Sequence, residues 1–399
     1  MKKLLSVTTF FICLSLLLAA TKEPPIQTIK VGGMLSLTGN WSSLGVTSQA
    51  AMDMAIKEIN SRMEQTGAHY RFAVVYYDTK LDTMLAKKAV QQAYRDGVRY
   101  IIGPQSSAEV AAIKDFANEK GILIVSQGST AGSLAIPNDA VFRFCPSDAV
   151  QGDAMAQAIY GAGHRALISI TRDDVGNRNL QEAVNTAFLR RGGAVETLTP
   201  WAGTTTDFSA VLSDLKSRIE QKRAQVGTGK VGVYLASFDK AADLMRQASK
   251  DTVFSSVHWY GGDGIALSSA LLGDVTSSAF AAAAHFFAPT LGLPPRGNSE
   301  MGNVAEAIKI RTGIEADAYT LAAYDALWVI ARTVCAFPEP PKDFAKVKDI
   351  FQKEAAQYYG ITGHTYLNAA GDRATGAFDY WGVVNDGGTY TWKWVGKSM

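Results

Sequence analysis

Short apolar runs bounded by Gly, Ser, Thr, Asn and Asp recur along the chain, each followed by a stretch whose apolar residues repeat at helical spacing. Residues 29–37, 72–77, 100–102 and 122–126 predict strands, and the continuous apolar ones read as strands buried on both faces, as in parallel sheets. Between them, Ala51, Met54, Ala55 and Ile59 mark one helix. Leu85, Ala86, Ala89, Val90 and Ala93 mark a second, with Asp82 placed to cap it. A third helix over about 107–119 separates the last two strands. Strand and helix alternate at a period that implies right-handed βαβ crossovers.

A strand over 141–145, stopped by Pro146, leaves this first unit, and the alternation restarts. The pattern predicts a helix near 151–161, strands at 166–171, about 194–198 and 230–236, and a further strand ending at Gly261-Gly262-Asp263-Gly264. A helix carries Leu180, Val184 and Phe188. Helices follow near 302–311 and over 318–335, the latter with so full an apolar set, including Leu321, Tyr324, Leu327, Trp328 and Ala331, that it must be buried. Phe337-Pro338-Glu339-Pro340-Pro341 reads as a stiff surface link. Residues 378–384 and 390–394 form a terminal hairpin around Asp386-Gly387-Gly388. The fold class is α/β, with two Rossmann-like parallel-sheet lobes.

Two consecutive strand ends carry the candidate chemistry. Tyr100-Ile101-Ile102 runs into Gly103-Pro104-Gln105-Ser106-Ser107-Ala108-Glu109, and the strand at 122–126 runs into Gln127-Gly128-Ser129-Thr130. In open α/β sheets the carboxyl edge is where ligands bind, and N–H groups at the following helix starts favour an anion. The hydroxyls of Ser107 and Thr130 add donors there. Ser106-x-x-Glu109 is also a capping box, which accounts for one such turn without any ligand.

Composition narrows the classes. With 399 residues, 47% hydrophobic and 19% charged, the chain can bury a large core and has the length of two domains. Lys+Arg 39 against Asp+Glu 37 gives +2 with no basic block, so nothing points to nucleic acid. Lys2 and Lys3, an apolar run over 4–18 and Ala19-Ala20-Thr21 have the order of a secretory signal peptide, placed at 1–21. An uncleaved anchor is the alternative, but the run falls short of the ~20 residues that span a bilayer. Cys13 lies inside that run, so a lipid anchor is not expected; the cleavage site stays open, and whether Cys145 and Cys335 pair is open too. The five histidines, His69, His164, His258, His285 and His364, show no His-x-x-x-His spacing, so no metal is expected. Gly161-Ala-Gly163-His-Arg-Ala166 matches a dinucleotide fingerprint on paper but follows a helix and opens a strand, the wrong order. No nucleophile elbow or Walker motif is present, and neither an enzyme nor a cofactor is expected.

The runs Ile102-Gly103-Pro104-Gln105-Ser106-Ser107 and Gly121-Ile122-Leu123-Ile124-Val125-Ser126, and Phe142-Arg143-Phe144 before Pro146-Ser147-Asp148, resemble the periplasmic leucine/isoleucine/valine-binding proteins. These are the receptors of branched-chain-type ABC importers, with the type I periplasmic binding fold. The resemblance implies a three-crossing hinge, with a first lobe at 29–145 plus 289–379 and a second at 146–288 plus 380–399. It implies a periplasmic, monomeric protein that closes on a small α-amino acid and presents it to a membrane permease. Carried over by position, Ser107 and Thr130, with the backbone of Ser107 and Gly128, hold the α-carboxylate and α-amino group. Asp263 holds the ammonium from the second lobe, and Gln105 lies in the first of the two turns. Leu44, Val175 and Ser237 stand where the family often has Tyr, with Trp41 and Phe238 the nearby aromatics, so the ligand need not be Leu, Ile or Val. The expected side chain is apolar or aromatic. A sensor lobe that binds an amide or another small molecule and signals to a partner protein is the alternative.

Overall fold

The structure, a computed structural model, describes residues 25–293 and 299–398. The expected signal peptide lies outside the described residues.

The first sheet holds five parallel strands in the order β2-β1-β3-β4-β5: β1 Gln27–Leu35, β2 Tyr70–Asp78, β3 Tyr100–Ile102, β4 Leu123–Ser126 and β5 Val141–Arg143. Its helices are α1 Ser42–Gln65, α2 Thr83–Arg95 and α3 Ser107–Lys120. Asp82 caps α2 by accepting from the Met84 and Leu85 amides, as its position suggested. Three-residue β3 is short because Gly103 must turn it at once: φ there is 94°, and a Cβ would stand 2.0 Å from the Met34 carbonyl oxygen. That close approach seats the following turn directly above β1.

The second sheet has seven strands in the order β14-β13-β10-β9-β8-β6-β7. They are β6 Ala166–Thr171, β7 Ala194–Thr197, β8 Val231–Ala236, β9 His258–Gly261, β10 Phe287–Leu291, β13 Phe378–Asp386 and β14 Thr389–Lys397; β11 and β12 are a two-residue pair at Tyr359–Gly360 and Gly363–His364. From β7 to β10 the sheet is parallel, while the terminal hairpin adds β13 and β14 antiparallel at its edge. Gly387 and Gly388 both have positive φ at that hairpin's turn. The helices of this half include α4 Asp148–Gly161, α5 Val175–Arg190, α6 Ser209–Val226, α7 Ala241–Ala248 and α8 Val275–Ala283. Of these, α6 and α8 are absent from the pattern reading; α6 buries only Leu212, Leu215 and Ile219, a stripe too thin to stand out among its charges.

After β10 the chain returns to the first sheet through α9 Ser299–Thr312, α10 Ala318–Cys335 and α11 Phe344–Gln357. The apolar helix α10 is buried as its composition required, and it shares one core with α1 and the first sheet. Each sheet therefore has a core on both faces, and the chain passes between the sheets three times: after β5, after β10 and before β13. The expected lobe boundaries at 288/289 and 379/380 fall inside β10 and β13, which both lie whole in the seven-stranded sheet. A fifth, small core joins the halves at the waist: Trp41, Leu44 and Leu81 meet Phe238, Cys145, Leu291, Ala318 and Tyr319. Cys145 and Cys335 are both free, the first buried and the second exposed, so they do not pair.

Candidate functional site

The carboxyl edges of the two sheets face each other across a small, narrow cavity. Its lining comes from both: Trp41, Ser106, Ser107, Gly128 and Thr130 on one side, Gly176, Asn177, Leu180, Phe238 and Asp263 on the other.

On the first side, local capping sorts the two serines. Ser106 caps α3 by accepting from the Glu109 amide, and the Glu109 carboxylate reaches back to the Ser106 amide and hydroxyl. Ser107 is left for other work. Its Oγ accepts from the Ser129 hydroxyl at 3.0 Å and from the Ala131 amide at 3.2 Å, so the two strand-end turns are stitched together. With both acceptor sites of Oγ used, its own O–H remains as a donor. Gly128 admits the neighbours that shape the floor: a Cβ there would stand 2.9 Å from the Gln105 carbonyl oxygen, 3.2 Å from Cη2 of Trp41 and 3.3 Å from Cδ2 of Leu44. Thr130 is buried, and its carbonyl accepts from the Asp148 amide at 2.8 Å.

The second side is acidic. Asp263 is 7% exposed; its Oδ1 accepts from the Gly264 amide at 3.0 Å and its Oδ2 from the Tyr319 hydroxyl of α10 at 2.9 Å. Burial pushes its carboxyl above the usual range against the pull of those hydrogen bonds. Asp148, buried at the start of α4 beside Thr130, is pushed up to about 8 by burial and by the charge of Asp263, with the Thr130 hydroxyl and Arg143 acting the other way. Among the described residues lining the cavity none is Lys or Arg. The start of α5 contributes backbone: Asp174 caps it through the Asn177 amide, and Gly176 lies close enough that a Cβ would meet the Ser107 Oγ at 3.4 Å.

The rim is a contact between lobes. The rings of Trp41 and Phe238 lie 4.6 Å apart, and Arg172 sits 5.2 Å over the far ring. Trp41 begins α1 in left-handed conformation, φ 57°, and offers that helix no side-chain cap. Across the cleft the Asp239 carboxylate accepts from the Ser268 hydroxyl at 2.5 Å, and the nearby Trp41 and Ser42 amides oppose the upward push that burial gives its carboxyl. Asp263–Tyr319 and the Ser133 amide to Asn179, 3.2 Å, also cross. The lobes are closed.

The remaining candidates sit nearby. The Gln105 side chain is buried behind the lining, with Oε1 accepting from the Ser36 amide and Nε2 donating to the Trp41 carbonyl at 2.8 Å. Leu44 packs under Trp41 and lines the neighbouring crevice. Val175 is 36% exposed at the first position of α5, and Gly176 occupies the lining instead. Asp148, Tyr319, Asp239, Asn177 and Leu180 carry roles the pattern did not single out; Asp148 stood only as part of a motif, and Tyr319 lay unmarked in an apolar helix. Three histidines distant in sequence, His164, His258 and His285, come together, with ring centroids 5.3 and 4.7 Å apart. Among the described residues no group of three or more His, Cys, Asp or Glu is arranged to hold a metal ion, and no helix is long and apolar enough to cross a membrane.

The profile of the receptor family ligand binding region matches residues 47–386. The chain belongs to that family. Proteins similar to it include an uncharacterized protein of Methanocaldococcus jannaschii, 27% identical over 92% of this chain and 89% of that one. The Leu/Ile/Val-binding protein homolog 1 of Brucella abortus is 25% identical over 86% of this chain and 87% of its own. Among solved structures, the leucine binding protein LivK from Thermotoga maritima superposes with a TM-score of 0.76 at 21% identity, covering 93% of this chain and 98% of that one. LivJ from Streptococcus pneumoniae, in complex with isoleucine, gives 0.73 at 18%, covering 92% and 99%. A solute binding protein from R. palustris in complex with benzoate gives 0.72 at 17%, covering 92% and 96%. The resemblance to leucine/isoleucine/valine-binding proteins and the type I periplasmic binding fold are thus borne out, and these relatives and neighbours, where a role is named, are binding proteins rather than enzymes.

Proposed function

We propose that the protein is the extracytoplasmic substrate-binding component of an ABC importer, which closes on a small α-amino acid with an apolar or aromatic side chain and delivers it to a membrane permease. The observation that carries this reading is the polarity of the cavity: hydroxyl and N–H donors at one end, a buried carboxylate at the other, and no cation in the lining. An α-carboxylate suits the Ser107 and Thr130 end, close to the first turn of α3. An ammonium suits Asp263. Trp41, Phe238 and Leu180 leave apolar surface for the side chain.

The benzoate complex of a structural neighbour names the competing ligand class, a carboxylate without an ammonium. Such a ligand would leave Asp263 buried without a cationic partner, a penalty of several kcal/mol unless it took up a proton. Mass spectrometry of small molecules released by denaturing the purified protein tests the reading. An unmodified α-amino acid is the expected find; a purely anionic or neutral compound, or a converted product, would overturn it.

A further inference from the structure

We propose that Arg143, held by Asp372, is a positioning residue for the ligand turn and ties the geometry of that turn to two of the three chains of the waist. The proposal rests on the reading of the Thr130 cavity as the ligand site.

Arg143 is 1% exposed and Asp372 2%. Nε and Nη2 of the guanidinium donate to the two carboxylate oxygens at 2.5 and 2.6 Å, a bidentate pair. The remaining nitrogen, Nη1, donates to the Ala131 carbonyl at 2.6 Å and reaches the Ser129 carbonyl at 3.3 Å. These are the carbonyls on either side of Thr130. The Thr130 carbonyl instead accepts from the Asp148 amide. Successive peptide groups are therefore pinned alternately, and Thr130 is presented at the cavity wall.

The two partners also mark where the chain leaves the first sheet. Arg143 ends β5, and its amide donates to the Gly371 carbonyl while its own carbonyl accepts from the Arg373 amide, a parallel bridge between Arg143 and Asp372. Residues 144–147 then lead to α4, and residues 374–377 to β13. The side-chain pair thus joins two waist chains at their last first-lobe position, with one arm on the ligand turn. A buried ion pair alone is weak evidence for stability, because an apolar pair of similar volume often serves as well. An apolar pair could not satisfy the Ala131 carbonyl and would leave the Ser129 carbonyl with the weak Cys145 thiol donor at 3.2 Å alone, and that is the work the guanidinium does here.

Amide hydrogen exchange on the empty full-length protein tests this without any ligand. Arg143→Lys and, separately, Asp372→Asn should accelerate exchange at the Ser129 and Ala131 amides about 10–100-fold, the scale of a lost hydrogen bond to a charged group. The capped Glu109 and Val110 amides of α3 should keep their protection. Unchanged exchange at 129 and 131, or equal acceleration throughout the first lobe, would overturn the proposal; Asp372→Asn keeps the test open if Arg143→Lys does not fold. A second arm titrates the standard L-amino acids into the wild type, Thr130→Val, Arg143→Lys and the double variant by calorimetry. Thr130→Val should weaken binding far less in the Arg143→Lys background than in the wild type, whereas additive losses would contradict positioning. If the wild type binds none of them, the amino-acid reading fails while the exchange result still decides the role of Arg143.

Discussion

The first lobe meets the cavity with neutral donors that its own sequence motifs organise, whereas the second meets it with a carboxylate and an aromatic ring that have few partners of their own. Ser106 with Glu109, and Ser107 with Ser129 and Ala131, form two hydrogen-bond sets that lie wholly within the first lobe. Asp263 in the second lobe instead completes its hydrogen bonding with Tyr319 across the cleft, and Asp239 faces the Trp41 and Ser42 amides there. The first half of the site is thus finished before closure. The second half is finished by closure, and a ligand that bridges the two ends selects the closed state.

The comparison predicts an order of effects. Removing the charge of Asp263 with Asp263→Asn should cost about 3–5 kcal/mol of amino-acid affinity, because an ammonium would be left buried without its partner. Calorimetry checks this, and a loss under about 1 kcal/mol would make Asp263 a turn residue. On the other side, Ser107→Ala or Thr130→Val should cost about 1.5–3 kcal/mol each, the scale of a hydrogen bond to a charged group. The melting temperature of the empty protein should move little for Thr130→Val. Asp239→Ala removes the carboxylate that faces the start of α1 across the cleft and should weaken closure by about 0.5–2 kcal/mol. Small-angle scattering would show this as a larger radius of gyration at subsaturating ligand than the wild type has; matching curves would show that the Trp41–Phe238 contact and the other crossing bonds hold the rim without Asp239.

A separate expected effect is on pH dependence. The Asp148 carboxyl, pushed up to about 8, binds its proton more tightly in the folded chain than in the unfolded one. Between about pH 4 and about pH 8 the folded state therefore carries more protons, and the stability of the empty protein falls as pH rises. Asp317 and Asp325, raised to about 6 by burial, act in the same direction over the lower part of that window. An ammonium beside Asp148 and Asp263 favours their ionised forms, so amino-acid affinity should rise across the window in which the empty protein loses melting temperature. Affinity that is flat from about pH 5 to about pH 8 would remove Asp148 from the ammonium end.

The same contrast explains what the sequence could show. The first-lobe half was legible because its signals are local: a strand end, a capping box and a hydroxyl turn, all within 30 residues between Tyr100 and Ser129. Most of the strand and helix order was legible for a similar reason, since continuous apolar runs and helical stripes are also local. Asp239, Tyr319 and Asp148 were not legible, because their roles come from contacts with residues distant in sequence: Tyr319 meets Asp263 56 positions away. The histidine group and the extension of the second sheet by β13 depend on tertiary packing in the same way. Val175 illustrates the limit of carrying a position over from a family, since a one-residue offset at a helix start puts Gly176 at the cavity and Val175 at the surface.

The most direct test of a zwitterion held between unlike halves is calorimetry with three matched compounds: L-leucine, the carboxylic acid that lacks its amino group, and the amine that lacks its carboxylate, alongside the same trio built on L-phenylalanine. The account predicts that at least one amino acid binds and that both of its truncated partners bind about 100-fold or more weakly, since each leaves charged or donor groups of the cavity unpaired. Tight binding of a deaminated acid, at or above the affinity of its amino acid, would contradict it.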